Sequence, residues 1–277
     1  MQDEVIYLEA NNTRRRYVLH RSQNNSTERP HPVVIMLAGR GGTPWTAIKT
    51  SGWSAFADER NLLVAYPEAT RIDESRPLHF LENPQMWNAG IGGSDTDRAP
   101  VDDVAFLNAV IDDLLEEQGA DPNRVYMTGF SNGASMTFRF AVESGERLAA
   151  MGTVSGHYRA GSGAPTQPVP LAHFFGKLDP LNPYDGGLID LPWGKTEWRP
   201  SARDSVVAWA KQLDWPEDAS KVEKQDGVTF EQWGEPGDSR EIIFTTIHDL
   251  GHVWPGGKRL LPEKYCWKRF KQTFGYG

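Results

Sequence analysis

The sequence predicts an α/β fold in which a mostly parallel central sheet is flanked by helices on both faces. Short apolar runs such as Val33–Ala38 and Leu62–Tyr66 are typical of strands buried on both sides. Segments with helical periodicity separate these runs, and this alternation is the pattern of βαβ units. The chain has 277 residues, enough for one large domain with its own core, and we expect a single domain over residues 1–277.

Strands are predicted where β-branched, aromatic and aliphatic residues run together between turn-forming residues. The first two strands flank Asn11-Asn12 and indicate an edge hairpin. The last two are joined by Gly234–Ser239, as a hairpin or a short excursion. The central runs are mostly apolar, as expected for buried parallel strands. In chain order the predicted strands are Val5–Glu9, Tyr17–His20, Val33–Ala38, Leu62–Tyr66, Val125–Thr128, Met151–Val154, Leu171–Phe175, Val228–Trp233 and Ile242–Ile247.

Helices are predicted where apolar residues recur at spacings of three and four. The clearest is Asp102–Gln118, whose apolar residues share one face and whose first turn is acidic. Asp102-Asp103 could suggest a metal pair, but capping and the helix dipole explain acidic residues at a helix start, and we predict no metal site. The predicted helices are Thr46–Arg60, Asp102–Gln118, Asn132–Glu143, Ser201–Leu213 and Glu263–Phe274, with a long irregular stretch over residues 68–99.

Composition excludes several classes of protein. Hydrophobic residues make up 39% and charged residues 24% of the chain, which excludes a disordered chain. The net charge of −8 argues against a nucleic-acid partner. The single cysteine, Cys266, excludes an intrachain disulfide, an Fe–S cluster and a multi-cysteine zinc site. No apolar run is long enough to span a bilayer and the N-terminus carries no signal peptide, so we expect a cytoplasmic protein or one whose signal was removed.

A G-x-S-x-G motif at Gly129–Gly133 lies between a predicted strand and a predicted helix. In that placement the serine occupies a sharp, strained turn that exposes its hydroxyl above the sheet, and the flanking glycines avoid clashes between strand and helix. An ordinary helix-capping serine would not need glycine on both sides. The motif therefore predicts Ser131 as a nucleophile.

A serine nucleophile on this turn needs a histidine base later in the chain, beyond an acidic residue. His252 follows the last predicted strand in a loop bent by glycine and proline, and we favour it over His248. His173 lies inside an apolar strand and is expected to be a packed core residue. His157 precedes the acid positions, so the chain order is wrong for it.

The acidic partner is expected in the loop that follows the strand Leu171–Phe175. Asp179 occupies that place and is our first choice. Asp185 is the second candidate for the acid, although it can equally be a turn-forming residue. Asp190 is the least favoured of the three.

Together these motifs resemble the secreted polyhydroxybutyrate depolymerase and feruloyl/acetylxylan esterase group of the α/β-hydrolase fold. The resemblance covers about Arg15 to Trp267, and it implies that the triad is Ser131, Asp179 and His252. The residues that carry it are Gly39–Gly42, Tyr66-Pro67-Glu68, Trp87-Asn88, Val101–Leu107, Arg124-Val125-Tyr126, Gly129–Gly133, Asp179, Pro183–Gly187 and Gly251–Gly256.

The resemblance implies a serine carboxylic-ester hydrolase that acts through an acyl-enzyme and needs no cofactor. Its expected partners are feruloyl or acetyl esters of plant polysaccharide or polyhydroxyalkanoate-type polyesters, and its expected location is extracellular or periplasmic. The sequence departs from the family's pattern at two places: Ala38 replaces the family's usual histidine, and Gly92-Gly93 stands where members carry cysteines. Open alternatives are a serine peptidase of the same fold and a non-catalytic polymer-binding module. A dienelactone-type hydrolase would need a cysteine nucleophile, which Cys266 cannot supply.

Two backbone donors are expected to form an oxyanion hole. One is the N–H of Asn132 at the start of a helix, and the other is the N–H of Arg40 in the Gly39–Gly42 turn. That turn lacks the spacing of a phosphate-binding loop. The Arg40 side chain either reaches an anionic substrate group or is exposed to solvent.

The chain is rich in tryptophan, with ten residues, and some of these should line a binding surface. We predict that Trp87, Asn88 and Trp254 contact the substrate, with weaker candidates in Trp193 and Trp198. The competing interpretation is that these rings fill the core under loops.

Overall fold

The computed structural model describes residues 3–22, 30–90, 101–159 and 163–258. Within these ranges the chain alternates strands and helices as the sequence predicts. The strands are β1 Asp3–Ala10, β2 Thr13–Arg21, β3 His31–Leu37, β4 Leu63–Pro67, β5 Thr70–Arg71, β6 Gln85–Met86, β7 Ala120–Phe130, β8 Ala150–Val154, β9 Leu171–Gly176, β10 Gly187–Asp190, β11 Thr196–Arg199, β12 Lys221–Gln225, β13 Val228–Trp233 and β14 Ile242–Ile247. The helices are α1 Pro44–Ser51, α2 Trp53–Arg60, α3 Asp103–Glu116, α4 Asn132–Ser144 and α5 Ala202–Gln212, with a 3₁₀ turn at Gly145–Arg147.

Ten of the strands form one sheet in the order β1-β2-β4-β3-β7-β8-β9-β14-β13-β12. The six central strands from β4 to β14 pair in parallel. The outer strands on both sides pair antiparallel. β1 and β2 form the expected edge hairpin, whose turn residues Asn11 and Asn12 have φ values of 48° and 58°, as hairpin turns of this type require.

Helices cover both faces of the sheet, as predicted. Side chains alternate along β3, so that Val33, Ile35 and Leu37 enter one core cluster while Val34 and Met36 enter the other. The larger cluster contains the buried faces of α3, α4 and α5, and the smaller one contains Ala47 of α1 and Ala57 of α2. This two-sided burial explains why the central strands read as continuous apolar runs.

The structure corrects one element and adds others. The predicted helix Thr46–Arg60 is two helices, because Gly52 between them has φ 75°, a left-handed conformation that ends α1. The ribbon β10–β11 and the edge strand β12 were not predicted, since they have few apolar residues, and Leu188, Trp198 and Val222 are exposed. The predicted helix Glu263–Phe274 and Cys266 lie outside the described residues.

Parallel strands end at the same edge of a sheet, and here that edge collects the loops that carry the motifs. The loops after β3, β9 and β14 and the turn after β7 all emerge there. Ligands of open α/β sheets bind at this edge. None of the helices in the described part of the chain has the length and apolar character that crossing a membrane requires.

Candidate active site

Ser131 stands on the sharp turn between β7 and α4 with φ 54° and ψ −116°. A non-glycine residue rarely adopts a positive φ, so this backbone is strained, as expected of a nucleophile turn. The turn is held by the Ser131 N–H, which donates to the Val154 carbonyl at 2.8 Å. A Cβ on Gly133 would lie 2.3 Å from the Leu37 carbonyl oxygen, and one on Gly129 would lie 2.3 Å from that of Gly133. Both motif glycines are therefore required by close backbone packing.

His252 and Asp179 complete a hydrogen-bonded chain with Ser131. His252 Nε2 lies 3.0 Å from Ser131 Oγ, and His252 Nδ1 lies 2.7 Å from Asp179 Oδ2. The other carboxylate oxygen of Asp179 accepts the N–H groups of Leu181 at 2.9 Å and Asn182 at 2.8 Å. Asp179 is fully buried and His252 nearly so. This environment excludes water from the carboxylate–imidazole pair.

The two loops that carry these residues are interlocked. β9 and β14 are adjacent parallel strands, so the loops after them start side by side. The Leu178 N–H donates to the Leu250 carbonyl at 2.9 Å. A Cβ on Gly176 would lie 2.3 Å from the same oxygen, so glycine at this position permits the close approach. The packing therefore sets the separation of Asp179 and His252.

The competing histidines and acids lie elsewhere. His248 is exposed and pairs with Thr229 Oγ1 at 3.0 Å. Asp185 is exposed, and Asp190 accepts a hydrogen bond from Thr196 Oγ1 in the β10–β11 ribbon. Of the expected candidates, the structure brings together Ser131, Asp179 and His252.

His173 and His157 are buried behind the site. His173 lies among aromatic rings with Nδ1 2.7 Å from Thr153 Oγ1, and burial lowers its pKa to about 3. Burial, and secondarily the charge of Arg199, holds the pKa of His157 well below its ordinary value. Both rings are therefore neutral at pH 7 and stabilise the core by packing.

The two expected oxyanion donors lie on either side of the nucleophile. Asn132 is the first residue of α4, where a backbone N–H is free of intrahelical bonds. The Gly39 backbone passes so close to the nucleophile that a Cβ on it would lie 3.1 Å from Ser131 Cβ. The Gly39–Arg40 peptide, which contains the Arg40 N–H, is therefore beside Ser131.

The expectation that Trp87 contacts the substrate needs correction, whereas the expectation for the half-buried Asn88 stays a prediction. Trp87 is 0% exposed, and its indole donates a 3.0 Å hydrogen bond to the Ala38 carbonyl. The Asn88 side chain donates to the Val101 carbonyl at 3.0 Å, and its N–H donates to Asp103 Oδ2 at 2.7 Å. The indole is sealed in the core, and the Asn88 amide is occupied in holding a loop. The position of Trp87 follows from tertiary packing that a single sequence does not reveal.

Arg40 and the other tryptophans predicted to bind substrate differ in their contacts and exposure. The Arg40 guanidinium stacks 4.2 Å from the centroid of Trp193 and donates to the Leu81 carbonyl at 3.2 Å. The Arg40 side chain is thus held by contacts within the chain. Neither of its expected roles, contact with an anionic substrate group or solvent exposure, included these contacts. Trp254 is half-buried against the smaller core cluster and retains an exposed part. Trp198 is 67% exposed on the β10–β11 ribbon.

Asp102 has the capping role that its position at a helix start predicts, whereas Asp103 has a role that was not predicted, in a buried ion pair. Asp102 caps α3 by accepting the Ala105 N–H at 2.9 Å. Asp103 is fully buried and pairs with Arg15 Nη2 at 3.0 Å. Among the described residues, no group of three or more His, Cys, Asp or Glu side chains is arranged to hold a metal ion.

Sequence reasoning missed two residues of the site. Asn182 donates its backbone N–H to Asp179 and its side-chain amide to the Ser155 carbonyl at 2.6 Å, which ties the acid loop to β8. The Asp-Pro step at Asp179 was a usable signal, because an aspartate oxygen that accepts N–H groups two and three residues later is an Asx-type turn. The Phe130 ring lies 4.8 Å from the His252 ring. No sequence signal distinguishes this phenylalanine from a core residue.

The parallel core and the serine raised on a strand-to-helix turn, with histidine and aspartate delivered by later loops, place the protein in the class of α/β-hydrolases. A solved acetyl xylan esterase from Aspergillus awamori has the same fold, with a TM-score of 0.64 and 16% identity over 91% of this chain and 95% of that one.

Sequence comparison narrows the class to a family. No family model matches the chain. The "Putative esterase NocK" of Nocardia uniformis subsp. tsuyamanensis is 30% identical over 258 residues, which cover 88% of this chain and 71% of that protein. Feruloyl esterase B of Piromyces equi is 29% identical over 179 residues, 63% of this chain and 32% of that protein. The chain belongs to the same esterase family as NocK and is a carboxylic ester hydrolase. It is also similar to a bifunctional acetylxylan esterase/xylanase of Neocallimastix patriciarum at 26% identity and to poly(3-hydroxyalkanoate) depolymerase C of Paucimonas lemoignei at 27% identity.

Proposed function

We propose that the protein hydrolyses carboxylic esters through an acyl-enzyme on Ser131, with His252 as general base and Asp179 as its orienting acid. The observation that carries the proposal is the continuous chain from Ser131 Oγ to His252 at 3.0 Å and from His252 to Asp179 at 2.7 Å. Histidine within hydrogen-bond reach of a hydroxyl, and itself held by a buried carboxylate, is the arrangement that activates serine.

The first half-reaction forms the acyl-enzyme. The Asp179 carboxylate accepts the Nδ1–H of His252, which leaves Nε2 as the acceptor for the Ser131 proton. Ser131 Oγ attacks the ester carbonyl carbon as its proton moves to Nε2, and the carbonyl π electrons move to the oxygen. The N–H groups of Asn132 and Arg40 stabilise that oxyanion. The oxyanion then re-forms the carbonyl, the bond to the alcohol oxygen breaks, and His252 protonates the leaving alcohol.

The second half-reaction repeats these steps with water. His252 removes a proton from water, the hydroxide oxygen bonds to the acyl carbon, and the bond to Ser131 Oγ breaks. The proton returns through His252 to Ser131, and the free acid departs. The residues named here account for every proton transfer in this cycle.

The proposed substrates are feruloyl or acetyl esters of plant polysaccharide, or polyhydroxyalkanoate-type polyesters, and we propose an extracellular or periplasmic location. The names of the relatives support these substrate classes. The Phe130 ring beside His252, and the partly exposed Trp254 that follows His252 by two positions in the chain, are suited to an apolar or phenolic acyl group. A panel of methyl ferulate, acetylated xylan, a polyhydroxybutyrate film and p-nitrophenyl esters of increasing chain length separates these substrates.

Replacing the nucleophile tests the proposal. Ser131→Ala is expected to lower kcat for p-nitrophenyl butyrate by at least about 10⁴-fold, because no other group can form the acyl-enzyme. It is also expected to abolish labelling by a fluorophosphonate. Ser144→Ala, at the other end of the same helix, is the matched control. It should keep both the esterase activity and the fluorophosphonate labelling. Activity retained by a folded Ser131→Ala variant would overturn the proposal.

A further inference from the structure

The segment Gln85–Asn88, which we call the strap, crosses over the loop that carries Arg40. The Gly41 N–H donates to the Gln85 carbonyl at 2.8 Å. The Trp87 indole N–H donates to the Ala38 carbonyl at 3.0 Å. One of these bonds lies before Arg40 in the chain and the other after it. The strap therefore restrains the turn that presents the Arg40 N–H from both sides.

The same strap is bonded to the residue that follows the nucleophile. The Trp87 N–H donates to Asn132 Oδ1 at 2.7 Å, and Asn132 Nδ2 donates back to the Trp87 carbonyl at 3.1 Å. This reciprocal pair uses both ends of the side-chain amide and leaves the Asn132 backbone N–H uninvolved. Trp87 is thus bonded to both segments that supply the expected oxyanion donors.

The C-terminal end of the strap, Asn88, is anchored by hydrogen bonds to α3 and α4. The Asn88 N–H donates to Asp103 Oδ2 at 2.7 Å, and Asp103 is fully buried and paired with Arg15. The Asn88 carbonyl accepts from Arg139 Nη1 at 2.6 Å. Because Trp87 is also fully buried, its hydrogen bonds do not exchange with water. The strap can therefore hold the two donors at a set separation.

We propose that Trp87 and the Asn132 side chain are positioning residues, which set the separation and direction of the two oxyanion-hole N–H groups. This inference rests on the function proposed for Ser131, Arg40 and Asn132. Oxyanion donors act only when they are about 2.7–3.1 Å from the developing charge. A displacement of about 1 Å can cost on the order of 10²-fold in rate. The strap adds hydrogen bonds to both donor segments, which otherwise meet through the pairing of β3 with β7 and the close packing at Gly39 and Gly133.

The test removes the strap bonds without touching a donor. Trp87→Phe deletes the indole N–H, and Asn132→Ala deletes both amide bonds while keeping the backbone N–H. Trp233→Phe is the matched control for the first: Trp233 is also fully buried, lies where β13 pairs with the start of β14, and its indole has no partner among the described residues. Asn108→Ala is the control for the second, since Asn108 bonds Ser144 and Arg147 away from the site.

Five readouts distinguish positioning from general stabilisation. They are kcat and KM for p-nitrophenyl butyrate, the inhibition constant of an alkylboronic acid that forms a tetrahedral adduct on serine, the midpoint of the pH–rate profile, and Tm. For Trp87→Phe and Asn132→Ala we expect kcat to fall about 10- to 100-fold, because one donor is misplaced rather than removed. We expect KM to stay within about two-fold and the boronic acid to weaken in proportion to kcat. The pH midpoint should not move, because His252 and Asp179 are untouched.

The rates are referred to active sites counted by fluorophosphonate titration, so loss of folded protein does not enter them. The controls should lower Tm but change kcat by less than about two-fold. Kinetics in Trp87→Phe and Asn132→Ala that equal those of the controls would overturn the inference. So would a loss confined to KM, or a shifted pH midpoint. If Trp87→Phe does not fold, the result for Asn132→Ala tests the inference. Asn132 is half-buried at a helix start, so this truncation leaves the core intact. These results are independent of the Ser131→Ala experiment. Activity retained by Ser131→Ala would refute the proposed function, whereas the outcomes above refute only the positioning role.

Discussion

Both oxygens of the Asp179 carboxylate are occupied by hydrogen bonds. Oδ2 faces the His252 imidazole, and Oδ1 accepts the N–H groups of Leu181 and Asn182. All these partners are donors, so the side chain must be an acceptor at every position. An amide in its place would direct its NH₂ group at a donor on one side or the other. The local backbone therefore requires a carboxylate, not merely a polar group, at this position.

Asp179→Asn is accordingly expected to lower kcat by about 10³- to 10⁴-fold, because the imidazole would take the wrong tautomer or orientation. Asp185→Asn, at the competing acid, should leave kcat unchanged because that side chain is exposed. Steady-state kinetics on an activated ester measure both. A reversed result would assign the acid to Asp185.

The sequence could identify residues whose chemistry depends on local order, and it could not identify those set by tertiary contact. Ser131 was predictable because its strand–turn–helix context is local. His252 and Asp179 were predictable because the chain order of this arrangement restricts the choice. Trp87 was singled out but given the wrong environment. An indole can line a cleft or lie beneath it, and tertiary contacts decide between the two. Here the Trp87 indole is held by the Ala38 carbonyl, 49 positions away in the chain.

At the scale of elements, Asp103 ties helix α3 to the edge hairpin by a buried ion pair and to the strap by a hydrogen bond. Arg15 of β2 donates to Asp103 at 3.0 Å, and its guanidinium lies 4.0 Å from the centroid of Phe106. The Arg15 and Asp103 side chains are 6% and 0% exposed. Neither charge can be solvated if its partner is lost, so the pair acts as a single unit.

Arg15→Met is therefore expected to destabilise the protein by about 3–5 kcal/mol, since it leaves the Asp103 carboxylate buried and unpaired. The comparison is Lys221→Met, which breaks the exposed Lys221–Glu235 pair and should not change stability measurably. Denaturant unfolding measures both. Equal midpoints for the two variants would contradict this account.

Elements were predictable where an apolar run is buried, and were missed where the apolar residues are exposed or where the strand has only two residues, as in β5 and β6. Strands β13 and β14 have the predicted bounds because their apolar runs are bordered by turn residues. The split between α1 and α2 depends on one left-handed glycine, and glycine is also tolerated inside helices. The β10–β11 ribbon pairs Leu188 with Trp198, both largely exposed, so no burial pattern revealed it.

Buried neutral histidines affect the stability of the whole molecule. His173 is neutral in the folded protein down to a pKa of about 3, whereas an unfolded chain protonates it near 6.5. His157 is shifted in the same direction. Between those pH values the unfolded state binds more protons, so the free energy of unfolding falls as the pH falls.

His173→Gln should therefore weaken the decline of stability between pH 6 and 4.5. One proton corresponds to about 1.4 kcal/mol per pH unit, and the variant should lose about that much slope, even if it is less stable at pH 7.5. His248→Gln, at an exposed histidine, is the matched control. Urea unfolding across this pH range provides the measurement, and an unaltered slope in His173→Gln would refute the explanation.

The interlocked loops after β9 and β14 also have a consequence for how activity arises during folding. His252 is separated from Ser131 by 121 positions and from Asp179 by 73. Contacts between distant positions are slow to form, because the loop-closure entropy is lost before the contact stabilises the chain. The site cannot exist until β14 has joined the sheet beside β9. In a refolding experiment, esterase activity should therefore recover no earlier than this late strand pairing, and after the local helical signal.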